Sequence, residues 1–533
     1  MTAPLASATV IRNPVLKGFN PDPSILRVGD DFYLATSTFE WFPGVQIHHS
    51  RDLVNWRLLT RPLDRASQLD MTGNPDSGGI WAPCLSYSDG VFYLIYTDVK
   101  YWKREPYKIA YNYLVTARAI EGPWSEPVFL NSSGFDPSLF HDDDGRKWYL
   151  NMEWDHRKQN NRFSGILLQE FCSESRTLIG PVKKIFKGTE RGLVEGPHLY
   201  KRNGWYYLLT AEGGTVYAHA ATLARSRAID GPYELHPQKH LLSTYGCLEA
   251  ELQKAGHASL VETHMGEWYL AHLCGRPIDG RHCTLGRETA IQKCIWGADD
   301  WLYLEQGGMI PSVTTKGPAG LPEAPFPEAT WDGNFDSPEL NLNFQSLRRP
   351  VSEDWLSLTE RPGYLRLKGM EPTISSFRQS LLARRVQSFD ISVETSVEFQ
   401  PETFQQMAGL IAWYDTENHC YLRLSHDETL GRNLNIIVTD AAESCEVLLD
   451  DVPVPATGGI GMRLTLKGAA LQFEFAIAGG DWRKIGPVLN GAILSDDYSH
   501  LGFTGAFVGM CCQDISGQKR QADFSRFVYR ENS

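Results

Sequence analysis

DGVFYLIYTD, residues 89–98, reads as a two-residue turn feeding an aromatic-rich strand, and the pattern recurs along the first half of the chain. Its other copies are GDDFYLATST (29–38), DGRKWYLNMEW (144–154), NGWYYLLTAEGG (203–214) and GEWYLAHLCG (266–275). The shared Tyr falls at 33, 93, 149, 207 and 269, giving spacings of 60, 56, 58 and 62 residues. Each copy follows a second short apolar strand: DPSIL (22–26), WAPCLSY (81–87), DPSLF (136–140), EGPHLY (195–200) and GHASLV (256–261). Paired strands with Gly, Asp or Asn between them are hairpins. Five evenly spaced hairpin blocks without long helical periodicity predict a five-bladed β-propeller; five unrelated hairpins in a sandwich leave the spacing unexplained.

The repeat ends near residue 315, so residues 1–316 are expected to form the propeller. The Pro/Gly/Ala stretch GPAGLPEAPFPEA (317–329) reads as a linker. Beyond it, period-2 strands such as YLRLKG (364–369), ISVETSVEF (391–399), MRLTLKG (462–468) and LQFEFAI (471–477) predict a second β domain over 330–533. The expected fold class is therefore all-β, a propeller followed by a C-terminal β-sandwich.

Composition narrows the function. The 533 residues are 42% hydrophobic and 22% charged, a globular balance, and 64 Asp and Glu against 51 Lys and Arg give a net charge of −13. That surface disfavours nucleic acid and anionic membranes as partners, and no apolar run reaches a membrane span. The start, MTAPLASATVIRNP, lacks a signal-peptide pattern, and the ten scattered cysteines include no CxxC pair. The expectation is a cytoplasmic protein with reduced thiols.

In a propeller the innermost strand of every blade lines a central channel. Asp22, Asp136, Glu195 and His257 lie near the heads of the predicted inner strands, with Trp81 in the remaining blade. Taken singly, each acid reads as a turn cap, because Asp-Pro and Glu-Gly-Pro are common turn sequences. Recurrence at matched repeat positions reverses that reading. Carboxylates gathered in one opening are costly unless used, and paired carboxylates beside aromatics suit glycosidic bond hydrolysis. Phe39, Trp41, Phe42 and Trp81 are candidates for stacking on sugar faces, although some of them belong to blade packing.

These segments resemble the β-xylosidases of glycoside hydrolase family 43. The matching stretches are NPVLKGFNPDPSI (13–25), TSTFEWFPGVQIHHSRDL (36–53), GNPDSGGIWAP (73–83), EGPHLY (195–200), AEGGT (211–215), GHASLVET (256–263), LGRETAIQK (285–293) and FTGAFVG (503–509). The resemblance implies the same propeller and a jelly-roll, lectin-like sandwich. It implies Asp22 as general base, Glu195 as general acid, and Asp136 as a third carboxylate orienting the acid and tuning its pKa. It also implies a substrate pocket from Phe39, Trp81, Thr215, His257 and Arg287, closed on one side by Phe507 of the second domain. The activity implied is inverting release of xylose from β-1,4-xylo-oligosaccharides, with α-L-arabinofuranosidase side activity, by an enzyme forming dimers or tetramers as relatives do. Inversion requires the Asp22 and Glu195 carboxyls roughly 6.5–9.5 Å apart.

The sequence departs from the family pattern at Cys84, where an acid usually follows WAP, and at Asn334 and Ser525 in the sandwich. No cofactor is expected to be required and no metal ligand is assigned. The substitutions at Asn334 and Ser525 weaken or remove the structural calcium site of related sandwiches, and His257 stands either as a polar wall or as a holder of water or a channel calcium. Rival readings are a retaining fructosidase, an endo-arabinanase and a non-catalytic sugar-binding propeller. The first expects Arg-Asp-Pro and Glu-Cys where this chain has Phe135-Asp136-Pro137 and Glu195-Gly196. Arabinanases are mostly single propellers with an open groove, and a binding module would lack one of the three acids.

Overall fold

The computed structural model describes residues 9–103, 106–327 and 331–532. Five four-stranded antiparallel sheets account for the repeats. Blade one runs Ser24–Val28, Asp31–Thr36, Gln46–Ser50 and Arg57–Thr60, and the later blades begin at Gly79, Ser138, Glu195 and Gln253. The first strands of successive blades touch one another in cyclic order, and the fifth touches the first, so they ring the channel. In two blades the hairpin turn has both central residues at positive φ, Asp89 (54°) with Gly90 (77°) and Asn203 (50°) with Gly204 (72°). That turn matches the right-handed twist of the flanking strands, and Asp-Gly and Asn-Gly are the pairs that adopt it without strain.

The ring is closed by the N-terminal segment. Val10–Arg12 pairs with Thr314–Lys316, and the Asn13 amide donates to the carbonyls of Ile291 (2.8 Å) and Ser312 (3.0 Å) while its oxygen accepts from Ile291 N–H. Separate apolar clusters then fill the spaces between neighbouring blades, for example Tyr33, Ile47, Leu94 and Val115 between the first two. Residues 317–327 lie against blade one, where Asp52 accepts from Ala324 N–H at 2.8 Å and the Arg57 guanidinium covers the Phe326 ring at 4.6 Å. Residues 328 and 329 of the expected linker, and 330 at the expected start of the second domain, lie outside the described residues.

The second domain stacks a seven-stranded sheet on a nine-stranded one over a single core that includes Trp355, Leu410, Leu464, Phe473 and Phe524. One strand of the larger sheet belongs to the propeller. Trp41–Phe42 pairs with Gln345–Leu347, so the two domains share backbone hydrogen bonds. Trp41 also stacks on Phe507 with ring centroids 3.7 Å apart. Beside them the buried Arg348 donates to Asp76 (2.6 Å) and to the Asn74 carbonyl (2.7 Å) across the same junction. Trp41 and Phe42 are thus fully buried packing residues with no sugar-facing surface. Among the described residues all ten cysteines are free thiols, and no helix is long and apolar enough to cross a membrane.

Candidate active site

The heads of the inner strands share a backbone device. Asp22 (φ 56°), Ala82 (31°), Asp136 (53°), Gly196 (55°) and His257 (31°) occupy the same position in the five blades, all in the left-handed region. Pro follows in four of them, at 23, 83, 137 and 197, where the missing N–H removes a ladder donor. Three of these strands also shift register here, between Trp81 and Cys84, Glu195 and His198, and Gly256 and Ala258. A left-handed residue costs about 1–3 kcal/mol when it is not glycine, and it turns consecutive side chains toward the same side of the strand. Glu195 and Trp81 therefore reach the opening from one position earlier than Asp22 and Asp136.

These side chains line a cavity of about 540 Å³ at the channel mouth. Of the residues expected in the site, Asp22, Phe39, Trp81, Asp136, Glu195, Thr215, His257 and Arg287 all contribute to its wall. Phe507 does not. Its ring is fully buried behind the wall, between Trp41 and Phe19, and the phenylalanine of the FTGAFVG stretch that reaches the cavity surface is Phe503. Phe503 packs at 4.8 Å from Trp102, 5.3 Å from Trp81 and 5.9 Å from Phe39. The two phenylalanines should separate in mutagenesis. Phe503→Ala is expected to raise KM for a xylo-oligosaccharide and lower kcat/KM by about tenfold or more at nearly unchanged Tm. Phe507→Ala is expected to lose about 3–5 kcal/mol of stability instead. Steady-state kinetics and thermal melting of the pair check this, and equal effects on KM would contradict it.

The three acids are held differently. Asp22 accepts from Ser37 Oγ at 2.6 Å and from Arg287 Nη1 at 2.8 Å. Burial presses its carboxyl upward, but Arg287, His257 and Ser37 outweigh burial and keep it below the usual carboxylate range. Glu195 accepts no hydrogen bond among the described residues, and burial followed by the Asp22 charge pushes it up to about 8. Asp136 is raised by burial and by both neighbouring acids, while its Oδ2 accepts from Gly196 N–H at 3.1 Å. Arg287 is itself anchored, donating through Nη2 to the Phe503 carbonyl at 2.9 Å. The ion pair that holds Asp22 ionised therefore also ties down the sandwich loop.

Behind the acids sit three imidazoles, His198, His219 and His257, each drawn below its usual range, first of all by burial. They pack against glycines at contact distance. A Cβ at Gly256 would lie 2.0 Å from His219, and one at Gly196 would lie 2.8 Å from His257. His257 Nδ1 stands 3.9 Å from Asp22 and 4.0 Å from Asp136. Calcium takes six to eight oxygen ligands. Here both Asp22 oxygens are already engaged, and among the described residues no group of three His, Cys, Asp or Glu side chains is placed to hold an ion. In the sandwich, Asp523 is bracketed by Arg361 and Arg366 at 2.8 and 2.7 Å, and Asn334 donates to Asp332 at 2.8 Å. Cys84 lies buried in the second blade's inner strand with its thiol pushed up to about 11 by burial, outside the cavity wall.

Sequence reasoning missed part of the wall. Trp102, Lys108, Phe135, Trp154, Phe163 and Leu193 come from blade loops and edges, and Glu417, His500 and Leu501 come from the sandwich. Lys108 Nζ lies 4.4 Å from the centre of the Trp154 ring, and burial brings it down to about 8 although Glu195 opposes the shift. His500 Nε2 donates to Asp415 Oδ2 at 2.9 Å, and this pairing raises it.

An ionised carboxylate and a protonated one set around an aromatic-walled, sugar-sized pocket define a glycoside hydrolase of the two-carboxylate kind. The sequence comparisons make the assignment specific: the chain belongs to the glycosyl hydrolases family 43, whose model matches residues 11–302. The β-xylosidase C-terminal concanavalin A-like domain matches residues 332–530. The chain is 53% identical to the xylosidase/arabinosidase 43B of Humicola insolens over 98% of its own length and 97% of that protein. It is 52% identical to a β-xylosidase of Bacillus subtilis over 98% and 99% of the two chains. Among solved structures, the xylan β-1,4-xylosidase from Bacillus halodurans superposes with a TM-score of 0.96 at 57% identity, covering 98% of this chain and all of that one.

Proposed function

We propose that this enzyme is an inverting exo-acting β-xylosidase that releases xylose from the non-reducing ends of β-1,4-xylo-oligosaccharides, with α-L-arabinofuranosidase side activity. The observation that carries the reading is the split between Asp22, held ionised by Arg287 and Ser37, and Glu195, left without a donor and raised to about 8. Asp22 takes a proton from water as that water attacks the anomeric carbon. Glu195 gives its proton to the leaving oxygen on the opposite face. Asp136 is a positioning residue: its Oδ2 accepts from the Gly196 N–H and so fixes the backbone that carries Glu195. The arabinosidase component rests on the xylosidase/arabinosidase relative. Exo action rests on the sandwich loop from His500 to Phe503, which walls one side of the cavity and leaves no open groove through it on that side.

Proton NMR of xylobiose hydrolysis tests the assignment: α-xylose should appear first, and β-xylose first would make Asp22 a nucleophile. The rate should also show a bell-shaped pH dependence. Activity requires ionised Asp22 and protonated Glu195. It should therefore fall as pH drops through the depressed Asp22 value and fall again as pH rises through about 8, where Glu195 loses its proton. A kcat/KM profile flat from pH 6 to pH 10 would contradict the roles.

A further inference from the structure

A second cavity, of about 270 Å³, lies at the junction of the two domains and shares no lining residue with the first. The N-terminal segment supplies Lys17, blade one supplies Gln46, His48 and Arg61, and the sandwich strand Ser380–Arg385 supplies Arg384 and Arg385. Three guanidinium groups thus meet in a junction where Arg61 and Arg385 are each only 6% exposed. Among the described residues none of the three pairs with a carboxylate. The acceptor between Arg61 and Arg385 is neutral: Gln46 Oε1 accepts from Arg61 Nη2 at 2.7 Å, from Arg61 Nε at 3.2 Å and from Arg385 Nη1 at 2.6 Å. Arg385 Nε is used by the Phe19 carbonyl at 2.7 Å, and Arg384 Nη2 by Gln387 at 2.9 Å. That leaves Arg385 Nη2, Arg384 Nε and His48 Nδ1 buried without a partner.

Arginine does not shed its proton to relieve such crowding, so buried guanidiniums are ordinarily matched by carboxylates. Here burial and the mutual repulsion of the three act together, and Arg385 is drawn well below its ordinary value by burial first and then by Arg61 and Arg384. The unfilled requirement is for negative charge with several acceptor oxygens, delivered to a planar fork and a neutral imidazole. We propose that this junction is a binding site for a phosphate-class oxyanion, bridging Arg61 of the propeller and Arg384 and Arg385 of the sandwich. The anion comes either as free phosphate or as the phosphate of a small sugar ester, since both present the same group to the arginines. Occupancy would brace the segment that leads to the active site. Gln46 Nε2 donates to Asn20 Oδ1 at 2.8 Å, Asn20 N–H donates to the Arg287 carbonyl at 2.9 Å, and Asp22 lies two residues on.

The test uses the full chain exchanged into a phosphate- and sulfate-free chloride buffer. Isothermal calorimetry and thermal melting are followed with inorganic phosphate, with a pentose 5-phosphate, and with chloride at matched ionic strength. Either phosphate species should give saturable heat and a saturable rise in Tm that chloride does not, and the tighter of the two identifies the source. Arg384→Gln, at the cavity edge, and Gln46→Glu, which places a carboxylate between the guanidiniums, should each weaken phosphate binding by about tenfold or more. Arg384→Gln should keep kcat/KM for xylobiose within about twofold in phosphate-free buffer. No saturable heat with wild type, unchanged affinity in both variants, or displacement of phosphate by xylose would overturn the proposal, the last by placing the anion in the acid-lined cavity.

Discussion

Glu195→Gln is expected to lower kcat for xylobiose by about a thousandfold or more while leaving hydrolysis of an activated aryl xyloside within about tenfold of wild type. The leaving alkoxide of xylobiose needs a proton in the transition state, and Glu195, a buried carboxyl raised to about 8, keeps one at neutral pH. A nitrophenolate leaves without that help. Because the substitution preserves side-chain volume and Glu195 accepts no hydrogen bond among the described residues, folding should be unaffected. Parallel kinetics on the two substrates check the claim. Equal losses on both would remove Glu195 from the acid role and assign it to ground-state binding.

Asp22→Asn should abolish turnover of both substrates to a similar extent, because an attacking water must lose its proton whatever group departs. It should also destabilise the protein. Arg287 is 2% exposed and Asp22 is its carboxylate partner at 2.8 Å, so the variant leaves a buried guanidinium uncompensated, a loss of about 3–5 kcal/mol. A third consequence separates loss of charge from loss of shape. The Asp22 charge is one of the causes that raise Glu195, so the alkaline limb of any residual activity should move to lower pH. Retained aryl xyloside activity at wild-type Tm would be incompatible with the site described.

The acids were legible because a propeller converts regular spacing into convergence: Asp22, Asp136, Glu195 and His257 are far apart in sequence, yet each stands at the head of an inner strand. The one-residue offset of Glu195 was not legible, since it depends on the left-handed Gly196 that follows it. Phe507 was placed on the wall because its motif is distinctive, but sequence does not say which ring of FTGAFVG faces the cavity. The strand Phe507–Asp514 commits Phe507 to Trp41, and the irregular stretch before it turns Phe503 outward into the site. Trp102 and Lys108 lie between the strands Val91–Tyr101 and Ile109–Ala117 and carry no periodic signal, because such connections are not fixed by a repeat. Trp41 and Phe42 read as candidates for sugar stacking or blade packing, and nothing local marks two residues as the edge of another domain's sheet.

That borrowed strand bears on how this enzyme can be recombined. A chimaera built by cutting at the 317–329 connection would separate Gln345–Leu347 from its complementary strand, Trp41–Phe42, far upstream in the propeller, and would leave an unpaired sheet edge on the transplanted half. The inheritable unit is therefore discontinuous: a donor sandwich carries its substrate-facing loop intact only if the recipient presents a matching tryptophan at position 41 for Phe507 to lie on. Directed evolution by fragment exchange should accordingly treat residues 40–42 as part of the C-terminal cassette, grafted together with it across the intervening blades.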